Sequence, residues 1–372
     1  MRSGPMSSDQ AQESVVEERG LAPAGRGPGP GSRAAALHPQ SGAVGAQAEL
    51  AGVLSGQLPL FVYKFGGSSL AGADRILHAA ALVRDARRQA RLAVVVSAMR
   101  GVTDRLLSIA QSLVEGAFGL ARAEAEFLLY LHNDALRELH LNSDEHAQVK
   151  RDLQSLGRDL LQDLPLQGKR KVDAALFDRL ASFGERFSAR LFAAALAKLG
   201  VPASRVVSSD FLLTSDEFRN AKPDIAQSKR NGREVLRPLL EAGIVPVVTG
   251  FIGAARDGRI TTLGRNSSDY SGAIVAHVLD ANELVIWTDV DGVYTANPGA
   301  APDARLLSDV TYAQAYALAA SGAKVLHAEV LPLAAKTRLV VWVRNTFKPH
   351  ARGTRIGPER AAWSEAVAEG AA

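Results

Sequence analysis

Two lysines and an arginine lie beside glycine- and serine-rich turns at the ends of predicted strands and helices. Lys64 precedes the turn "GGSS", Arg265 lies within "LGRNSSD", and Lys324 follows "ASGA". The acidic residues Glu185 and Asp269 stand at predicted helix starts. Cations and backbone donors stabilise phosphate groups, and phosphoryl transfer needs positioning and charge neutralisation more than an activated nucleophile. The set is therefore typical of a phosphoryl-transfer site.

Each motif also has an ordinary structural explanation when it is taken alone. Gly-Gly after a strand commonly forms a tight turn, and Ser268 has the residue type of a helix N-cap. A lysine after a helix end, such as Lys324, is usually solvated. A glutamate in a first helical turn, such as Glu185, normally complements the helix dipole. The joint occurrence of the motifs favours the phosphate site.

Several other chemistries are excluded by the absence of their motifs. The sequence contains no G-x-x-x-x-G-K-[ST] loop, no G-x-G-x-x-G fingerprint, no G-x-S-x-G elbow and no H-E-x-x-H pair. The "DVDG" turn lacks the oxygen spacing and the final glutamate of a calcium loop. The eight histidines are scattered without ligand spacing. We assign no metal-ligating residue.

The composition is that of a soluble globular protein. The chain has 372 residues, 47% of them hydrophobic and 22% charged, with a formal net charge of +4. This slight charge, without a basic run, argues against nucleic-acid binding. The absence of cysteine excludes disulfides and thiolate metal sites. No apolar run approaches the roughly 18 residues of a membrane span, and the N-terminus lacks the apolar core of a signal peptide. We expect a cytoplasmic protein with no membrane partner.

The order of predicted elements indicates an α/β fold. Residues 1–57 are rich in Ala, Gly and Pro and are predicted to be a disordered leader. The mostly continuous apolar runs beyond them are typical of strands buried on both faces of a parallel sheet. The predicted strands are 60–65, 92–98, 205–209, 245–252, 284–289 and 339–344. Between the first two, "ADRILHAAALVRDARRQA" has helical periodicity, so these elements form a βαβ unit.

Residues 104–200 break this alternation, since they favour helices and contain no convincing strand. A helical insertion of this size in an α/β domain is often a lid or a substrate-shaping element. A helical subdomain with only a structural role fits the composition equally well.

Six motifs, taken in order, resemble those of aspartokinases within the amino acid kinase superfamily. They are "KFGGSS", "SAMRGVTD", "GERFSA", "TGFIG" with "TTLGRNSSDYS", "WTDVDGVYTANP" and "GAKVLH", and the resemblance covers about residues 60–357. The variants "GGSSL" and "LHA" are most similar to the kinase part of bifunctional aspartokinase–homoserine dehydrogenases. The resemblance implies a three-layer α/β/α sandwich around a mostly parallel sheet, with the helical insertion added.

The reaction implied by the resemblance is ATP + L-aspartate giving ADP + 4-phospho-L-aspartate. It is the first step toward lysine, threonine and methionine. The catalytic domain would span 58–357 and be followed by a short tail, 358–372, so we expect no C-terminal regulatory domain. A homodimer is also expected. The alternatives are a related carboxylate kinase of the same superfamily, and a catalytically weak fragment of a fusion or partner subunit.

For the acceptor amino acid, the resemblance implies contacts at both ends of the molecule. Thr103 and Glu185 would hold the aspartate ammonium end, and Arg265 with Ser268 would hold its carboxylates. Asp269 would orient the two lysines.

For the nucleotide, the resemblance implies a phosphate loop and a pocket. The residues assigned are Lys64 at the transferring phosphate, Gly66, Gly67 and Ser68 in the phosphate loop, Thr288, Asp289 and Tyr294 in the nucleotide pocket, and Lys324 and Val325 at the ATP phosphates. Mg²⁺ is expected to enter with ATP, held largely by phosphates and water.

Two substitutions depart from the family pattern. Gly299 stands where an arginine commonly touches the nucleotide, so ATP affinity is expected to be weaker unless Arg305 substitutes. Ala328 replaces a proline after "VLH".

Overall fold

Apolar runs form the central strands, and short polar turns separate them from helices. The computed structural model describes residues 58–164, 172–296, 301, 303–320 and 326–359. The strands are β1 (Leu60–Phe65), β2 (Arg91–Val96), β3 (Ala203–Val206), β4 (Val245–Thr249), β5 (Ile252–Ala254), β6 (Ile260–Thr262), β7 (Glu283–Thr288), β8 (Val293–Tyr294), β9 (Leu306–Leu307), β10 (Asp309–Thr311), β11 (Val340–Asn345) and β12 (Thr354–Gly357).

The helices alternate with the strands except in one long stretch. They are α1 (Ala73–Ala86), α2 (Val102–Val114), α3 (Phe118–Glu138), α4 (Ser143–Asp163), α5 (Ala174–Ala181), α6 (Phe183–Lys198), α7 (Ile225–Glu241), α8 (Ser268–Leu279), α9 (Tyr312–Ala320) and α10 (Val330–Thr337). Helices α2 to α6 follow one another with no described strand between them. In the described part of the chain, no helix is both long and apolar enough to cross a membrane.

Eight strands form the main sheet in the order β10-β12-β11-β7-β1-β2-β4-β3. The six strands from β11 to β3 are mutually parallel, while β12 runs antiparallel to β11. Strand β1 lies in the middle, paired with β2 and β7, so its carboxyl end is flanked by two other carboxyl ends. Since parallel strands need helical crossovers, helices cover both faces. The predicted α/β sandwich with a mostly parallel sheet is confirmed.

Alternate residues of β1 face two different hydrophobic cores. Tyr63 and Phe65 belong to the core beneath the helical stretch α1 to α6. Leu60 and Val62 belong to the core beneath α7, α8 and α10. Because side chains alternate along a strand, Lys64 lies on the second face, toward α8. The strand thus places one cation at the edge of an apolar core.

The predicted strand 245–252 is wrong, because the structure divides it into two strands of different sheets. Strand β4 ends at Thr249, and β5 starts at Ile252 and pairs with β6 in a separate hairpin. Gly250 lies between them, where a Cβ atom would be 3.0 Å from the Ser268 Cβ and 3.1 Å from the Val96 carbonyl oxygen. Phe251 then has a positive φ of 68°. Close packing against α8 and β2 turns the chain at this point, although the apolar run continues.

Candidate active site

The carboxyl ends of β1, β2 and β7 lie side by side and carry polar residues. Lys64 is the fifth residue of β1, Ser97 follows β2, and Thr288 is the last residue of β7. In open parallel sheets, ligands bind at this edge, where helix N-termini and loops converge. The sequence order therefore brings the charged motifs to one edge of the sheet.

Lys64 forms a buried ion pair with Asp269. The Lys64 Nζ lies 2.7 Å from the Asp269 Oδ1, and Lys64 is 7% exposed. Its stem lies against α8 at Gly272, where a Cβ atom would be only 3.3 Å from the Lys64 Cβ. Asp269 and Gly272 are three residues apart, so they share one face of α8. The helix therefore supports the lysine stem and fixes its ammonium group.

The predicted phosphate loop follows β1 as a short 3₁₀ turn over Gly67–Leu70. A Cβ atom on Gly67 would lie 2.9 Å from the Ala98 carbonyl oxygen, so only glycine fits this approach. The Gly66 N–H donates to the Trp287 carbonyl oxygen at 3.2 Å. The loop is thereby held between the ends of β2 and β7.

One cavity, here named the Tyr294 cavity, lies on the β7 side of Lys64. It has a volume of about 560 Å³, and its lining includes Lys64, Asp269, Thr288, Asp289, Tyr294 and His327. Residues at and just after the end of β11 hold the loop that follows β7. Asp291 in this loop accepts hydrogen bonds from Asn345 at 2.5 Å and from Lys348 at 2.8 Å. The structure thus brings the three residues predicted for the nucleotide pocket to one cavity.

A second cavity, here named the Glu185 cavity, lies on the β2 side of Lys64. It has a volume of about 580 Å³, and its lining includes Ser68, Thr103, Glu185, Arg265, Ser268 and Asp269. Gly67 and Lys64 also line it. All four residues predicted for the acceptor amino acid therefore surround the same space.

The two cavities share Lys64, Asp269, Arg265 and Asn266. The Lys64–Asp269 ion pair therefore stands where the two spaces meet. Two ligands can approach the Lys64 ammonium from opposite sides, one from each cavity.

Glu185 is a buried carboxylate at the start of α6. It is 2% exposed, and its Oε1 accepts a hydrogen bond from the Ala98 N–H at 3.0 Å. Its Oε2 is buried without a hydrogen-bond partner among the described residues. Burial raises the pKa of Glu185 to about 8, against the opposing effects of the Ala98 N–H and of Lys64. A residue that merely complemented a helix dipole would be solvated, so the dipole explanation is insufficient.

Arg265 lies in a sharp turn between β6 and α8, and it pairs with Asp104. The flanking residues Gly264 and Asn266 have φ angles of 93° and 63°. The Arg265 Nη2 lies 2.5 Å from the Asp104 Oδ1, and both side chains are more than two-thirds exposed. Asp104 stands in the first turn of α2 and lines the Glu185 cavity. It was not singled out from the sequence, although it is the last residue of the motif "SAMRGVTD".

Ser268 is the first residue of α8, and Ser267 occupies the N-cap without a side-chain capping bond. The alternative that Ser268 serves as an ordinary cap is therefore not observed. Ser268 is buried and lines the Glu185 cavity.

Some predicted residues lie outside the described part of the chain. These are Lys324, Val325 and Gly299. Arg305 is described, but it is not among the residues that line the Tyr294 cavity, whereas Ala328 is. Across the described ranges, no group of three or more His, Cys, Asp or Glu residues is placed to hold a metal ion.

The comparison with protein families agrees with this geometry. Residues 59–345 match the model of the amino acid kinase family. The chain belongs to the amino acid kinase family.

Named relatives of this chain are aspartokinases. It is 34% identical over 301 residues to the lysine-sensitive aspartokinase 3 of Escherichia coli, covering 80% of this chain and 64% of the relative. It is 33% identical over 307 residues to the chloroplastic aspartokinase 3 of Arabidopsis thaliana, covering 80% of this chain and 53% of the relative. The predicted resemblance to aspartokinases is confirmed, while the finer likeness to the bifunctional enzymes stays a prediction.

A solved structure is also similar to this chain. The crystal structure of E. coli aspartokinase III in complex with aspartate and ADP matches with a TM-score of 0.72 and 32% identity, covering 82% of this chain and 65% of that one. The chain thus spans less than two thirds of the length of each of these relatives.

The buried Glu185 predicts a pH-dependent stability difference in the ligand-free protein. The pKa of Glu185 is about 8 in the folded state and near its ordinary value of 4.5 in the unfolded state. Its stabilising contribution is present below pH 4.5 and is lost as the pH rises to about 8. We expect the free energy of unfolding of Glu185→Gln to rise relative to that of the unmodified protein as the pH increases from 5 to 8. The change in this difference should be on the order of 3 kcal/mol.

Urea denaturation of both proteins at several pH values measures this difference. The exposed Glu234, on α7, provides the control Glu234→Gln, for which the difference should not change with pH. A constant difference between Glu185→Gln and the unmodified protein over this range would contradict the assignment.

Proposed function

We propose that this protein is an aspartate kinase, which transfers the γ-phosphate of ATP to the side-chain carboxylate of L-aspartate. The observation that carries the proposal is that two cavities share the Lys64–Asp269 ion pair. Two anionic ligands need one cation between them if a phosphoryl group is to pass from one to the other. The relatives named aspartokinase, and the E. coli structure in complex with aspartate and ADP, support this choice of ligands.

The chemistry requires charge neutralisation rather than a general base. The β-carboxylate of aspartate is already an anion and is a competent nucleophile. The barrier arises from its repulsion by the triphosphate, which Lys64 reduces at the junction of the two cavities. Asp269 keeps the Lys64 ammonium at this position through the 2.7 Å ion pair.

In this proposal, the Glu185 cavity receives the amino acid. Thr103 and Glu185 bind the ammonium group, while Arg265 and Ser268 bind the carboxylates. The raised pKa of Glu185 means that its carboxyl group is mostly protonated in the empty site at neutral pH. A bound ammonium group stabilises the ionised form, so binding releases a proton.

The Tyr294 cavity receives the nucleotide, with Thr288, Asp289 and Tyr294 around it. The phosphate loop of Gly66, Gly67 and Ser68 lies beside Lys64. Because Gly67 and Ser68 line the Glu185 cavity, the loop would contact the transferring phosphate from that side. We further propose that Lys324 and Val325 contact the ATP phosphates. Mg²⁺ fits the site as part of the ATP complex, because phosphates and water supply most of its ligands, and it neutralises phosphate charge. The homodimer, the cytoplasmic location and the place in amino-acid biosynthesis stay predictions from the sequence.

The proposed activity is tested by trapping the acyl phosphate. Purified protein with ATP, Mg²⁺, L-aspartate and hydroxylamine should yield aspartyl hydroxamate, while Lys64→Ala should lower kcat by at least about a hundredfold, because the central cation is lost. N-Acetylglutamate and glutamate, assayed in the same way, test the alternative of a related carboxylate kinase. Hydroxamate formation from one of these but not from L-aspartate would contradict the proposal. Equal rates of hydroxamate formation by the Lys64→Ala variant and the unmodified protein would contradict the proposed role of Lys64.

Asp104 should compete with the substrate for Arg265. Its carboxylate occupies the guanidinium that is proposed to bind a substrate carboxylate. Since exposed ion pairs contribute little, we expect Asp104→Asn to lower the KM for L-aspartate only about two- to fivefold at low salt. The effect should diminish at about 0.5 M salt. The KM for ATP should change less than that for L-aspartate, although Arg265 also lines the Tyr294 cavity.

The matched control is Asp144→Asn, which removes an exposed aspartate from the first turn of α4, away from both cavities. It should leave both KM values unchanged. An increased KM for L-aspartate in Asp104→Asn would show that Asp104 assists Arg265 rather than competing with the substrate.

A further inference from the structure

Asp178 is a buried carboxylate that does not line either cavity. It lies in α5, is 2% exposed, and accepts three hydrogen bonds. Its Oδ2 accepts from the N–H groups of Arg219 and Thr262, both at 2.8 Å. Its Oδ1 accepts from the Thr262 hydroxyl group at 2.8 Å. All three donors are uncharged, so the carboxylate acts as a junction for the backbone rather than as half of an ion pair.

The segment that Asp178 holds leads directly to Arg265. Thr262 ends β6 and is three residues from Arg265. The Thr262 carbonyl oxygen accepts from the Ala221 N–H at 2.9 Å. At Gly264, a Cβ atom would lie 3.1 Å from the Asn220 Oδ1, so the two segments are packed closely. The turn that carries Arg265 therefore packs against residues 219–221, and Asp178 accepts hydrogen bonds from that segment and from the end of β6.

The backbone of the helix that carries this carboxylate continues toward Glu185. Helix α6 starts directly after α5, and the Ser182 N–H donates to the Asp178 carbonyl oxygen at 3.0 Å. Two residues later, Gly184 lies so close to the end of β2 that a Cβ atom would be 2.7 Å from the Ala98 Cβ. Glu185 thus has a fixed position relative to Asp178. Burial raises the pKa of Asp178, which is consistent with a site excluded from water.

We propose that Asp178 is a positioning residue, which sets the distance between Glu185 and Arg265 and thereby the geometry of the amino-acid site. The inference rests on the proposed function, in which these two residues bind opposite ends of L-aspartate. Asp178 touches no substrate. It acts by holding the turn that carries the guanidinium against the helix that carries the ammonium-binding carboxylate.

The test replaces Asp178 with asparagine, whose single amide oxygen cannot replace both carboxylate oxygens as hydrogen-bond acceptors. We expect Asp178→Asn to raise the KM for L-aspartate at least about tenfold, since small misplacements of binding groups are costly. The KM for ATP should stay within about twofold, because Thr288, Asp289 and Tyr294, which are proposed to surround the nucleotide, lie at or after the end of β7 rather than β6, although Arg265 also lines the Tyr294 cavity.

Variants at Thr262 provide a second route if Asp178→Asn fails to fold. Thr262→Val removes only the hydroxyl donor and should raise the KM for L-aspartate about threefold. Thr262→Ser keeps the hydroxyl group and should restore the unmodified value. A matched control is Asp163→Asn, which alters another buried carboxylate, paired with Arg179 of the same helix α5. It should lower thermal stability without changing either KM.

The inference is overturned if both KM values change equally or if only thermal stability changes in Asp178→Asn and Thr262→Val. Absence of aspartate kinase activity in the unmodified protein would instead contradict the proposed function. In that case hydrogen exchange decides the inference, because the Thr262 and Arg219 amides should exchange faster in Asp178→Asn. Unchanged exchange at both amides would overturn it.

Discussion

Two anions must come within bonding distance when a phosphoryl group passes from a triphosphate to a carboxylate. In the proposed reaction, a cation with a fixed position between the two anions reduces their mutual repulsion. The Lys64–Asp269 ion pair, with an Nζ to Oδ1 distance of 2.7 Å, is the interaction on which the rest of the site depends. Because Lys64 is 7% exposed, its charge is only partly screened by solvent.

The fold provides this position through the packing of β1 against α8. A lysine near the end of a central strand has neighbouring strand ends on both sides, and the loops after β2 and β7 form the two cavities. Gly272 lets α8 approach the lysine stem, and Asp269 lies one turn earlier on the same face. This arrangement places a charged pair at the edge of an apolar core. Each of the two charges would be strongly destabilising there without its partner.

The sequence predicted the sheet well because its signals are local. Strands β1, β2, β7 and β11 are apolar runs bounded by turn residues. The interruption of the predicted strand at Gly250 was not foreseen, because it depends on contacts with Val96 and Ser268, residues far away in sequence. The two-residue strands β8 and β9 are too short for a periodic pattern to reveal them.

The sequence motifs also identified residues that the fold brings to the two cavities. Charged residues in recognisable motifs were identified, and the described ones line the two cavities. Asp104 and Asp178 were missed because a lone aspartate in a helical sequence carries no signal of its tertiary partners. Their roles depend on Arg265 and Thr262, which are more than 80 residues away in sequence.

A crystal structure with L-aspartate and a non-hydrolysable ATP analogue would show whether Lys64 contacts both ligands. We expect the triphosphate in the Tyr294 cavity and the amino acid in the Glu185 cavity, with the γ-phosphate and the β-carboxylate both contacting the Lys64 ammonium. A nucleotide bound on the Glu185 side, or an amino acid bound away from Lys64, would contradict it.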